Sequence, residues 1–214
     1  MKRILFLLLA ITLAFASCKK SNNNNDETEE SVLSYYPLKV GNFWVYERSL
    51  CDSTWTDCTW QSTDTCIITK DTIIADNKYF KIEGRNLLGN DIPIYLRDSS
   101  YYIIDNFGNI HMTITDFDNI LYERYILDNG GLDTLFHIYR QMKNYPNYII
   151  TPAGSFNCLD NRTSLFRIQD NFNKEFNAHY YFTKNVGPVY ENAMFGHGLG
   201  GFKKELKSYN VILE

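Results

Sequence analysis

The chain has 214 residues, 21 basic against 25 acidic side chains, a net charge of −4, and 44% apolar residues, with aromatics alone making up 15%. That length provides one ordinary domain with a sizeable core, and an acidic balance without a basic cluster excludes a nucleic-acid partner. The nearest approach to a basic cluster, Lys203, Lys204 and Lys207, is interrupted by Glu205 and reads as a solvated strand face.

The first element is Lys2-Arg3, then the apolar run Ile4 to Phe15, then Ala16-Ser17-Cys18. A basic start, about a dozen apolar residues and small residues before a cysteine form a secretory signal, and the run falls short of the roughly 20 residues that span a bilayer. The cysteine placed directly after the small residues makes the segment resemble a bacterial lipoprotein signal, in which the peptidase cuts before a lipidated cysteine. Residues 1–17 are therefore expected to be removed and Cys18 to carry the acyl chains, palmitate among them, that hold the protein to a membrane. Simple secretion with Cys18 in a disulfide is the alternative, and the shortness of the run opposes an uncleaved anchor. Loss of Lys2 and Arg3 with the signal takes the net charge from −4 to about −6.

Residues 18–34 follow as a polar tether with asparagines at Asn22 to Asn25 and acids at Asp26, Glu27, Glu29 and Glu30. Such a stretch buries too little apolar surface to order itself and reaches about 20 Å as a flexible coil. Residues 35–214 form the domain. From there the pattern alternates with period two, the mark of strands with one buried and one wetted face. Strands are expected over 43–50, 60–70, 78–85, 92–97, 101–105, 110–115, 120–127, 135–142, 154–159, 179–183, 188–192 and 202–213. Phe80 and Ile82 alternate with Lys81 and Glu83, and Ile110 and Met112 with His111 and Thr113. Pro93 demotes its strand to an edge or a bulge. Turn clusters such as Asp76-Asn77, Leu88 to Asp91, Asp105 to Asn109, Asp128 to Gly131 and Asn144 to Asn147 separate the runs. Ile168, Phe172 and Phe176 recur every fourth residue and suggest one short helix. The expected fold is all-β: a single antiparallel, strongly curved meander sheet, half-open or closed into a barrel, with at most one short helix beyond the signal peptide.

Four cysteines remain after Cys18, an even number that in an exported protein favours two disulfides in one of three connectivities. Cys51 and Cys58 flank a short loop between two strand-like runs, so the simplest hairpin joins them, leaving Cys66 with Cys158. The spacings lack the close pair typical of structural zinc. The four histidines, His111, His137, His179 and His197, are far apart, and those on strands read as polar surface; His197 lies near Met194 in the glycine-rich loop 195–201. No hydrolase, P-loop or dinucleotide motif occurs. Asp116 to Asn119 and Asp128 to Asp133 lack the ligand spacing of a calcium loop and read as turns. No cofactor and no metal are expected. Trp55, at the tip of the Cys51 to Cys58 loop, and Trp60 are candidate surface contacts for a sugar or protein partner, with the alternative that Trp55 folds back over the sheet.

The segment Tyr35-Tyr36-Pro37-Leu38-Lys39-Val40-Gly41-Asn42-Phe43-Trp44-Val45-Tyr46 resembles the start of a domain found in many lipoproteins of the Bacteroidetes type. Thr151 to Phe156, Val186 to Tyr190 and Glu205 to Asn210 resemble that group's later blocks in the same order. The resemblance implies a β-rich exported lipoprotein and brings no catalytic residue with it. Asp52-Ser53-Thr54, Asp71-Thr72-Ile73 and Asp133-Thr134-Leu135 look like the O-glycosylation triplet used by the same bacteria. The leading expectation is a non-enzymatic, lipid-anchored β-domain of the outer membrane or cell surface, binding or structural, with a protein, glycan or hydrophobic ligand as partner. A carrier of a hydrophobic ligand is second and an exported hydrolase third. An apolar concavity favours the carrier, a sheet filled by its own aromatics the structural role, and converging carboxylates or a His-carboxylate pair the enzyme.

Overall fold

The computed structural model describes residues 30–128, 130–131, 133–168, 174–195 and 200–213. The signal, Cys18, most of the tether and His197 lie outside them. Twelve antiparallel strands form one sheet: β1 Phe43–Cys51, β2 Cys58–Ile74, β3 Asn77–Glu83, β4 Ile94–Ser99, β5 Tyr102–Asp105, β6 Ile110–Thr113, β7 Tyr122–Leu127, β8 Thr134–Thr151, β9 Gly154–Arg167, β10 Lys174–Thr183, β11 Gly187–Met194 and β12 Gly201–Asn210. Their order is β6-β5-β4-β3-β2-β1-β12-β11-β10-β9-β8-β7, two meanders joined where β1 pairs with β12. A sheet this wide must curl, because each strand is rotated against the next in a fixed hand.

Local chemistry sets the hairpins. Ala75 and Asp76 both have positive φ, 46° and 61°, between the paired residues Ile74 and Asn77, the two-residue turn whose twist matches that of its strands. The terminal strands β6 and β7 are not neighbours in the sheet, and side chains from β8 and β9 span the gap. Arg140 Nη1 donates to the Ile110 carbonyl at 3.5 Å, Asn161 to that of His111, and Gln141 to those of Phe117 and Asp118 at 3.1 and 2.7 Å. The result is a nearly closed barrel with a seam held by side chains instead of a backbone ladder.

Three expectations are corrected here. Phe176 lies in strand β10, so the short helix is not formed at that residue; a recurrence of four is also a multiple of two and fits one face of a strand. Asn144 to Asn147 does not end a strand: β8 runs through it with a bulge between Asn144 and Tyr148, which accommodates Pro146. Pro93 precedes β4, which is an interior strand with β3 and β5 on either side.

One end of the barrel is filled. Trp44, Phe182, Ile68, Leu206, Val189 and Met142 are each at most 1% exposed, and Tyr36 packs edge-on to Trp44 with centroids 6.2 Å apart. The 3-10 turn Val32–Ser34, within the stretch assigned to the tether, buries Val32 completely, so this part of that stretch is packed. Asn42, fully buried, locks both termini: its Nδ2 donates to the Pro37 carbonyl at 2.9 Å, and its Oδ1 accepts from Ile212 N at 2.8 Å.

Candidate functional site

Successive residues of a strand point to opposite faces, so the pairing register states which side chains share the interior. Trp44 and Tyr46 on β1 place Arg48 inward; Ile68 and Cys66 on β2 place Asp64 inward; Val189 on β11 places Glu191 inward; Leu206 on β12 places Lys204 inward. The register then aligns one row across seven strands: Met142, Asn161, Tyr180, Glu191, Lys204, Arg48 and Ser62. This polar belt crosses the barrel directly beside the aromatic plug.

Above the belt is a cavity of about 260 Å³. Tyr36, Tyr46, Tyr180, Ile82 and Leu96 form its apolar walls, and Glu191, Lys204, Arg140, Asn161, His111 and Cys66 its polar ones. Burial raises the pKa of Tyr36, Tyr46 and Tyr180, so all three are neutral hydroxyls. The Cys66 thiol is likewise pushed up by burial, with Lys204 opposing, which keeps it protonated. Desolvation raises Glu191 while Lys204 and Arg140 pull it down. Lys204 faces Glu191 across the β11–β12 pair, yet its ammonium donates to the Arg85 carbonyl and sits 5.4 Å from the Tyr46 ring centroid. Among the described residues no direct hydrogen bond or ion pair joins Glu191. Arg48 Nε and Arg85 Nη1 stand 3.3 and 3.6 Å from the two oxygens of Asp64, which pair by charge without aligned hydrogen bonds.

His111 enters the cavity through a bulge. Ile103 pairs with Met112 and Ile104 with Ile110, so His111 is the extra residue, turned away from the outward position that simple alternation assigns. Its Nε2 lies 3.2 Å from Asp105 Oδ2. Burial lowers its pKa, and Arg140 adds to this against the pull of Asp105.

The outer face of β9 and β10 carries a second buried carboxylate in a different state. Asp160, wholly buried, lies 3.1 Å from Arg162 Nη2 and 3.0 Å from His179 Nδ1, and the Tyr181 ring stacks on His179. His179 and Asn192 border the cavity, but their positions alternate with the inward Ala178, Tyr180 and Glu191, so their side chains belong to the outer cluster. His137 is also accounted for on the outside, 2.8 Å from Glu123 Oε1 and stacked on Tyr125.

The other residues singled out in the sequence are scattered. Cys51 and Cys58 form a disulfide closing the β1–β2 hairpin. Cys66 and Cys158 do not pair: β2 and β9 are separated in the sheet by β1, β12, β11 and β10, so elimination joined two thiols that the fold keeps apart. Burial pushes Cys158 up to about 12. Trp55, in the left-handed region at φ 61°, folds back over Gly201, where a Cβ would lie 2.8 Å from the indole and 2.1 Å from the Ala193 carbonyl. Trp60 is 60% exposed. Lys204 corrects the reading of a solvated lysine face: it is 3% exposed, while its neighbours Lys203 and Lys207 pair outside with Glu205 and Glu47. Sequence reasoning passed over Arg48, Asp64, Glu191 and Arg140, although the first three are charges standing in phase with apolar strand residues.

No protein-family model matches the chain, and no curated protein matches it. Two solved structures are similar in fold. One is a crystal structure of a proposed exported protein with a YmcC-like fold from Bacteroides fragilis, at 10% identity, covering 82% of this chain and 98% of that one, with a TM-score of 0.48. The other is a proposed lipoprotein from Parabacteroides distasonis, at 14% identity, covering 83% and 99%, with a TM-score of 0.43.

Proposed function

We propose that the protein is an exported lipoprotein, held by acyl chains on Cys18 to the outer membrane or cell surface, that binds a small polar ligand inside its barrel without transforming it. The observation that carries the binding reading is the cavity at the polar belt, where Glu191 is left with acceptor capacity and no direct partner. Asn161 Oδ1, buried at the same cavity, also has no hydrogen-bond partner among the described residues, and a buried polar atom left so costs free energy unless water or a ligand completes it. Although His111 pairs with Asp105 at the cavity, the protonated Cys66 thiol and neutral tyrosines beside it offer no activated nucleophile, which supports binding over catalysis. A long apolar ligand would lie against Glu191, Lys204 and Arg140 and desolvate them without compensation, so the hydrophobic carrier fits the cavity less well.

Native mass spectrometry of the intact protein, extracted in mild detergent from its own host, tests this. Excess mass beyond the acyl chains that is lost on denaturation, and absent from a cavity-filling Ala193→Trp variant, is expected; a bare mass in both overturns the reading. Cys18→Ala should move the protein from the membrane fraction to the soluble one.

A further inference from the structure

We infer that the ligand of the barrel cavity is a small neutral molecule rich in hydroxyls, of the class of a single sugar ring, an inference that rests on the binding reading above. The interior charges balance without a ligand. Arg48 stands against Asp64, and Arg85 against Asp64 and Asp91, at 3.3 to 3.6 Å. Lys204 faces Glu191 across the β11–β12 pair. The Arg140 guanidinium lies 5.6 Å from the Tyr122 ring centroid. Desolvation lowers its pKa, and the opposing pull comes from Tyr122, then Asp105, then Glu191. Against the desolvation of its site, Asn109, His111 and the Phe107 backbone hold the Asp105 carboxyl below the usual range, so it is ionised, while burial lowers His111 and leaves it neutral. With Glu191 ionised, Arg48, Arg85, Arg140 and Lys204 are thus matched by Asp64, Asp91, Asp105 and Glu191. A ligand with a net charge would bring one that nothing opposes into a space walled by tyrosine rings and aliphatic side chains, and a buried charge without a partner is costly.

What the cavity leaves open is hydrogen bonding, and of both signs. Asn161 is 4% exposed; its Nδ2 donates to the His111 carbonyl, but its Oδ1 has no partner among the described residues. The Glu191 carboxylate is a second acceptor. Lys204 is the donor, having given one of its three N–H groups to the Arg85 carbonyl. The register sets Asn161, Tyr180, Glu191 and Lys204 side by side on β9, β10, β11 and β12, so the acceptors flank a tyrosine and the donor follows. A hydroxyl both donates and accepts, so this one group answers all three without adding charge. Tyr36, Tyr46, Tyr180, Ile82 and Leu96 offer apolar walls to the C–H faces that a sugar ring carries between its hydroxyls. A volume of about 260 Å³ sits just below the usual range of about 300–1,000 Å³ for ligand pockets and suits a single ring.

Isothermal titration of the intact detergent-solubilised protein at neutral pH tests the inference with D-glucose and D-galactose, each beside its uronate, D-glucuronate or D-galacturonate, and its 6-amino-6-deoxy derivative. At least one neutral sugar is expected to bind at least about tenfold more tightly than both of its charged counterparts. Upsetting the balance should redirect that preference. Glu191→Gln leaves a cation unmatched, so the uronate should gain on the sugar; Lys204→Met leaves a carboxylate unmatched, so the amine should gain. Either variant suffices if the other does not fold. A merely structural role would weaken sugar, uronate and amine alike in both variants, and that outcome overturns the inference. Binding of a uronate or an amine to the wild type as tightly as its sugar, or more so, overturns the neutral assignment and leaves the binding reading standing. Failure of every probe overturns the sugar assignment, while the native mass of the host-purified protein decides separately whether the cavity binds anything.

Discussion

Around Trp44 the barrel interior is filled, and four residues further along the same strand, at the level of Arg48 and Glu191, it turns polar and opens into a cavity. Both levels lie on β1 in antiparallel pairing with β12, on either side of a bulge between Val45 and Tyr46. What differs is the satisfaction of polar groups. At the filled end the indole Nε1 of Trp44 donates to the Val186 carbonyl and Asn42 meets both termini. At the open end, among the described residues, no hydrogen bond or ion pair joins the Glu191 carboxyl, and Arg140 has only long hydrogen bonds beside its stacking on Tyr122. The outer cluster at Asp160 shows that this fold can satisfy a buried carboxylate completely when it supplies an arginine and a histidine. The comparison therefore separates positions where polarity is structural from one where it is left available.

The largest test strikes the filled end. Trp44→Ala should lower stability by about 3 to 5 kcal/mol, because the plug cannot collapse into the space and the Val186 carbonyl loses its donor. Urea unfolding read as a midpoint shift at unchanged slope measures it. A loss below about 1 kcal/mol would mean that the filled end is no more essential than the cavity and would dissolve the distinction.

Asp160→Asn comes next. It leaves Arg162 without its counter-charge and His179 with a weaker acceptor, and the expected cost is about 3 kcal/mol, at the low end for a broken buried pair because Arg162 is partly exposed. The disulfide hairpin beside the cavity gives a smaller effect. Replacing Cys51 and Cys58 by serine should cost about 2 to 3 kcal/mol, the chain-entropy value for so short a loop, and thermal unfolding with and without reductant should show the same difference in the wild type.

The meander was legible in the sequence because its signals are local. Period-two alternation and turn residues act over a few positions, and Asp76-Asn77 or Asp105 to Asn109 announce their hairpins unaided. The belt was half legible. Arg48 follows Trp44 and Tyr46 in step, Asp64 precedes Cys66 and Ile68, and Glu191 stands between Val189 and Ala193, so each places a charge on an apolar face. A single strand cannot show whether such a charge marks a ladder's exposed end or a polar interior; that depends on which strand lies opposite. Lys203 and Lys204 show the same point, since adjacent strand residues must face opposite ways and cannot share a solvated face. His111 was hidden by a bulge that only the pairing with β5 reveals. The Cys66 and Cys158 pairing failed because elimination counts thiols and carries no distance.

The smallest expected stability effect is the most specific to the open end. Burial raises the pKa of Glu191, so above its ordinary value of 4.5 the native chain holds a proton that the unfolded chain has already released. Stability then falls as pH rises from about 4.5 through the folded pKa and levels off beyond it. His111 acts in the opposite sense: burial lowers its pKa, so below its ordinary value of 6.5 the unfolded chain takes up a proton that the native chain refuses, and stability declines with falling pH. Asp105 reinforces that acid-side decline. Against the desolvation of its site, Asn109, His111 and the Phe107 backbone hold its carboxyl below the usual range, and protonation there forfeits those bonds. The wild type should therefore lose stability on both sides of a maximum, and Glu191→Gln should keep the acid-side decline while flattening the fall that Glu191 imposes as pH rises. The difference should lie within the roughly 1 kcal/mol of an ordinary single substitution and grow with pH, a trend that urea midpoints across about pH 4 to 8 resolve. Parallel curves for the two proteins would mean that Glu191 is solvated like a surface carboxylate, and the open end would lose the feature that separates it from the Asp160 cluster.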